Sequence, residues 1–62
     1  MEILKFKGWL VEHQVTQKDL AELLGIAEQN VNAKVNGRQD FTLEQVKLIC
    51  KTYGISADDF FV

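Results

Sequence analysis

Proline is absent from the 62 residues, and cysteine, histidine and tryptophan occur once each. A single cysteine, Cys50, excludes an internal disulfide and any metal site built on several thiolates. With His13 as the only histidine, the chain also has too few ligands for zinc. No metal or other cofactor is therefore expected. No apolar run of about 18 residues occurs, so no membrane span is expected. The N-terminal "MEILKFKGWL" lacks the long apolar core and small-residue cleavage site of a secretory leader, and a reducing, cytoplasmic setting is the expectation. Paired catalytic groups, a phosphate loop and a metal-ligand cluster are missing as well, which argues against an enzyme. An excess of basic residues is the last absence. Lys and Arg number 7 against 9 Asp and Glu, a formal net charge of −2, so bulk charge does not draw this chain to a polyanion.

What is present is apolar and helical in spacing. Hydrophobic residues make up 47% of the chain, ample for one small folded domain spanning 1–62. Ile3, Phe6 and Leu10 recur at three and four residues, as do Leu20 and Leu24, Val31 and Val35, and Leu43, Val46, Cys50 and Tyr53. Gly25, Gly37 and Gly54 follow such segments, where a helix end needs a left-handed residue. Thr16, Thr42 and Ser56 stand where new helices start. Thr42 with Gln45 has capping-box spacing, and Thr16 with Asp19 and Ser56 with Asp59 put acids in the first turn. These marks predict helices near 2–13, 17–24, 28–36, 43–53 and 57–61: a compact, all-α, five-helix domain.

The second and third helices are joined by only Gly25-Ile26-Ala27, a link short enough to hold them at a steep angle as a helix-turn-helix. Ala21 supplies the small residue where the two approach, and Leu20, Leu24, Ile26 and Val31 supply the apolar corner. Such a corner leaves the start of the third helix free to enter a major groove. On these residues the chain resembles the phage repressor and Cro family. The resemblance runs from about Val15 to Phe61 through "TQKDLAELLGI", "KVNGR", "FTLEQVKLIC" and "YGISADDFF". The "NG" and basic residue after the third helix are similar to those of short Cro-like phage proteins. The resemblance implies a lambda-repressor-like fold.

It also implies roles, position by position. Glu28, Gln29, Asn32 and Ala33 match positions that face base edges. Gln17, Asn30, Asn36 and Arg38 match positions that meet the sugar-phosphate backbone, Gln17 also bracing the third helix, and Lys18 and Lys34 are plausible additions. The chemistry suits these roles: glutamine and asparagine can pair with the N6 and N7 edge of adenine, glutamate can accept from the cytosine amino group, and alanine can press on a thymine methyl. Three residues depart from the family pattern. Ala27 replaces a hydroxyl cap on the third helix, Glu28 puts an acid among the readers, and Lys34 stands where relatives bury an aliphatic side chain.

The acidic excess lies in residues 39–62, where Asp40, Glu44, Asp58 and Asp59 face only Lys47 and Lys51. The two preceding thirds are each balanced. Non-specific affinity should thus be weak and specific binding dependent on polar readers and on a dimer that doubles them. For that dimer Tyr53, Ile55, Phe60, Phe61 and Val62 are the candidate patch. Phe60 and Phe61, as neighbours on a helix, should not both face one core; the alternative is that both fold back as a terminal plug. The functional expectation is a sequence-specific transcriptional regulator, a Cro-like repressor binding a palindromic double-stranded operator as a homodimer. The competing expectation is a protein-interaction module, antirepressor- or antitoxin-like, on the same scaffold.

Overall fold

Five helices follow one another, with no strand among the described residues, 3–61, of the computed structural model: α1 Ile3–Glu12, α2 Gln17–Leu24, α3 Glu28–Val35, α4 Leu43–Tyr53 and α5 Ala57–Phe60. The all-α architecture expected from the spacing is the one observed, with α1, α3 and α5 each ending one residue earlier than predicted.

Local chemistry sets these boundaries. Thr16 and Thr42 are extended, and their hydroxyls accept the N–H groups of Asp19 and Gln45 at 3.0 and 3.1 Å. The Asp19 carboxylate and the Gln45 amide oxygen accept from the cap N–H groups in return, both at 3.0 Å. Two capping boxes result, each satisfying two otherwise orphaned donors. Ser56 instead accepts from Asp58 at 3.3 Å, one residue short of that pattern, before a helix of only 4 residues. At the other ends, Gly25, Gly37 and Gly54 take φ of 69°, 81° and 65°. The amide that follows each glycine reaches back five residues: Ile26 to Ala21, Arg38 to Ala33 and Ile55 to Cys50, at 3.2, 2.8 and 3.1 Å. Helix α1 ends in the same motif, with Val15 N–H on the Leu10 carbonyl at 2.9 Å, but Gln14 takes the left-handed position at φ 58°. A side chain there costs about 1 kcal/mol.

The core gathers Phe6 and Leu10 from α1, Leu20 and Ala21 from α2, Val31 and Val35 from α3, Val46 and Ile49 from α4, and Phe41 and Phe60. Phe6 is its centre. The rings of Phe41, Phe60 and Phe61 lie 5.8, 5.8 and 4.8 Å from it, in edge-on and tilted geometries that favour aromatic contacts. Trp9 is half-buried and sits between His13, stacked at 4.4 Å, and Tyr53 at 5.5 Å. A radius of gyration of 10.3 Å matches the roughly 10.6 Å expected of a close-packed domain this long.

Two details correct the sequence reading of α4. Leu43 was expected on the apolar face but is 70% exposed, whereas Ile49 is fully buried. The cause is Phe41: lying two residues before the helix, it fills the core position at that end and leaves Leu43 to begin the helix on the solvent side. Cys50 and Tyr53 lie at the edge of the core, half-buried.

Candidate nucleic-acid interface

The corner between α2 and α3 is the most extensive helix–helix contact in the molecule. Leu20 and Val31 face each other's helix fully buried, with Leu24 and Ile26 half-buried around them. Ala21 is buried, and its carbonyl accepts from both Gly25 and Ile26 at 2.9 and 3.2 Å, so the chain turns directly on that residue. A larger side chain at Ala21 would separate the helices.

Helix α3 begins differently from α2. Ala27 is extended at φ −69°, ψ 146°, and offers no side-chain cap. Glu28 supplies negative charge in the first turn, which favours the helix dipole while opposing any approaching phosphate. Glu28, Gln29 and Asn30 are all exposed on this turn, and Lys18 is exposed on α2.

A chain of hydrogen bonds ties α3 to its surroundings. The Asn32 amide nitrogen donates to Gln17 Oε1 at 3.2 Å, joining the start of α2 to the middle of α3. The Arg38 guanidinium donates to Asn32 Oδ1 at 2.7 Å. Asn36 donates its amide to the Asn32 backbone carbonyl at 2.8 Å, and its Oδ1 accepts from the Lys7 ammonium at 2.7 Å. Four of the expected residues, Gln17, Asn32, Asn36 and Arg38, are thereby brought into one network. Gln17 braces α3 through that bond. The Asn32 oxygen already accepts from Arg38, so a paired contact to adenine would use its second lone pair. Ala33 is half-buried, and its carbonyl accepts from Arg38 and Gln39 at 2.8 and 3.2 Å.

Lys34 requires a correction. It was expected as a phosphate contact, yet it is buried at 9% exposure. Its ammonium donates to the Asp40 carbonyl at 2.8 Å and lies 5.8 Å from the Phe41 ring centre. The stem does the packing of an aliphatic residue, and the head satisfies the loop before α4. Val35 is buried beside it. Lys7 is the residue that sequence spacing missed: it lies 29 positions from Asn36, and only the docking of α1 on α3 brings them together.

The expected dimer patch is also altered. Phe60 is buried and Phe61 half-buried, both against Phe6. The two neighbours reach one core because α5 stops at Phe60 and Phe61 leaves the helix at φ −117°, ψ −1°. Phe60 is thus removed from the patch; Tyr53 and Ile55 remain half-buried, and Val62 lies outside the described residues. Burial, with the nearby Asp19 carboxylate, pushes the Tyr53 hydroxyl above the ordinary phenol range, and burial raises the Cys50 thiol. Asp19 moves the other way, held low by the Thr16 amide, then the Thr16 hydroxyl, with Lys18 adding to them.

Among the described residues, no group of three or more His, Cys, Asp or Glu could hold a metal ion, and no helix is long and apolar enough to cross a membrane. No solved structure matches the chain significantly. An uncharacterized HTH-type transcriptional regulator of Methanocaldococcus jannaschii is 34% identical over 58 residues, covering 94% of this chain and 88% of that protein. The family described as the Cro/C1-type HTH DNA-binding domain matches residues 5–62. That match takes in the capped α2, the Gly25 turn, α3 and its network, and everything through α5. The chain belongs to the Cro/C1-type helix-turn-helix family of DNA-binding domains.

Proposed function

We propose that this DNA-binding domain is a transcriptional regulator of the phage Cro type, a repressor that binds a palindromic operator as a homodimer in the cytoplasm. Helix α3 enters the major groove of each half-site, with the two half-sites about 34 Å apart. Repression follows from occluding the promoter. Gln29 and Glu28 read base edges, with Ala33 against a thymine methyl and Asn32 beside them, its oxygen shared with Arg38. Gln17, Lys18, Asn30 and Arg38 meet the sugar-phosphate backbone. Tyr53 and Ile55 lie at the dimer contact. The name of the archaeal relative, an HTH-type transcriptional regulator, supports the regulatory part of this reading.

The observation that carries the proposal is the bridge from Gln17 through Asn32 to Arg38. It joins three of the DNA-facing candidates and orients them together, so little side-chain freedom is lost on binding. The near-neutral charge makes specificity depend on these polar contacts.

Selection from a library of random duplexes at low salt tests the reading. A two-fold symmetric enriched motif is expected, and its spacing gives the half-site distance. Gln29→Ala should relax the preference at one position in each half-site and cost about 1–3 kcal/mol. An unchanged motif would remove Gln29 from the readers. No enrichment by a folded domain would turn the assignment toward a protein partner.

A further inference from the structure

We propose that Lys7, on α1, is a phosphate-binding residue of the DNA-binding face, and that Asn36 acts by positioning it. The inference rests on the reading of α3 as the DNA-docking helix.

Three observations carry it. Lys7 is exposed, and its ammonium lies 2.7 Å from Asn36 Oδ1. Asn36 is itself fixed: it caps the C-terminus of α3, and its amide nitrogen donates to the Asn32 carbonyl at 2.8 Å. Asn32 in turn holds the Arg38 guanidinium at 2.7 Å. One short network therefore holds two cations along α3, Arg38 at its middle through Asn32 and Lys7 at its C-terminal end through Asn36. The Lys34 ammonium is turned inward to the Asp40 carbonyl, so it does not supply a cation to this surface.

The charges explain the choice of partner. The C-terminal end of α3 carries the negative pole of the helix dipole, which favours a cation beside it. An ammonium has three donors; one is used on Asn36, and the others face solvent on an exposed side chain. A DNA phosphate is the anion that a residue beside a groove-docked helix meets. Asn36 has its oxygen on Lys7 and one amide hydrogen on the Asn32 carbonyl, and these two bonds fix it to orient the lysine.

The test uses the full chain with mixed-sequence duplexes, by fluorescence anisotropy across a salt series. Lys7→Gln should weaken binding about fivefold to tenfold at 0.1 M salt, alike on every duplex, and reduce the salt slope by about 1. Lys7→Arg should retain the slope. Lys5→Gln removes the same charge from a residue whose ammonium lies 5.7 Å from the Phe60 ring centre, and should leave the slope unchanged. Asn36→Ala should weaken binding in the native chain and add nothing once Lys7 is Gln.

Wild-type affinity and slope in a folded Lys7→Gln chain would overturn the inference alone. A double variant weakened by the product of the two single effects would overturn the positioning role of Asn36. Failure of the wild-type chain to bind any duplex would overturn the reading of α3, and this inference with it.

Discussion

The two helices of the DNA-binding corner are of equal length, 8 residues each, and are stabilised by different means. Helix α2 is closed at both ends by its own sequence, with the Thr16–Asp19 box before it and the Gly25 turn after it. Helix α3 has Ala27 at its start and no cap. It is held instead by Val31 and Val35 in the core, by Lys34 to the loop, and by the bonds of Asn32 and Asn36. The scaffold helix carries local signals, while the docking helix borrows order from its neighbours. That division leaves the side chains of the first turn of α3, Glu28 to Asn30, exposed.

The strongest way to break the comparison is through the core that both helices share. Val31→Ala or Leu20→Ala removes a fully buried side chain and should cost about 2–4 kcal/mol. In a domain this small that approaches the whole stability, so urea unfolding should show a largely unfolded population at 25 °C. A midpoint near wild type would mean that the corner is not the stabilising contact described.

Cap exchange comes next. Thr16→Ala should destabilise by about 1 kcal/mol, lowering Tm by roughly 4–8 °C. Ala27→Ser should move in the opposite direction by up to about 1 kcal/mol, since the extended Ala27 backbone already suits a cap. Equal loss from both substitutions would contradict the difference between the helices. Gln14→Gly relieves the left-handed side chain at the end of α1 and should stabilise by about 0.5–1 kcal/mol in the same thermal melts.

The smallest effect is on pH. The folded chain holds Asp19 below its ordinary range, so the carboxylate contribution is present above the unfolded value of about 4 and is lost as pH falls through the folded value. Asp19→Asn should flatten the acid side of the stability curve in that window and leave α3 unaffected. An unchanged acid limb would indicate that the box does not depend on the charge.

Much of this is legible in the sequence. Thr16, Thr42, Gly25, Gly37 and Gly54 act on amides within five residues, and such short-range geometry is written in residue type and spacing. Ala21, Leu20 and Val31 were legible because a three-residue link leaves their helices few ways to meet. The end of α1 was not, because Gln14 adopts a glycine conformation without being glycine. The spacing put Leu43 on the apolar face and passed over Ile49 for a similar reason: period alone cannot tell that Phe41, outside the helix, joins the core at that end.

The site divides along the same line. Residue types and spacing alone determined the helical class, the corner and the exposed first turn of α3. The tertiary structure decided that Lys34 turns inward, that Asn32 is held by Gln17 and Arg38, that Phe60 and Phe61 both join the core, and that Lys7 arrives beside Asn36. Each of these depends on which faces of distant helices meet, and that is settled by the joint packing of Phe6 with side chains from across the chain, a collective outcome that no local pattern encodes.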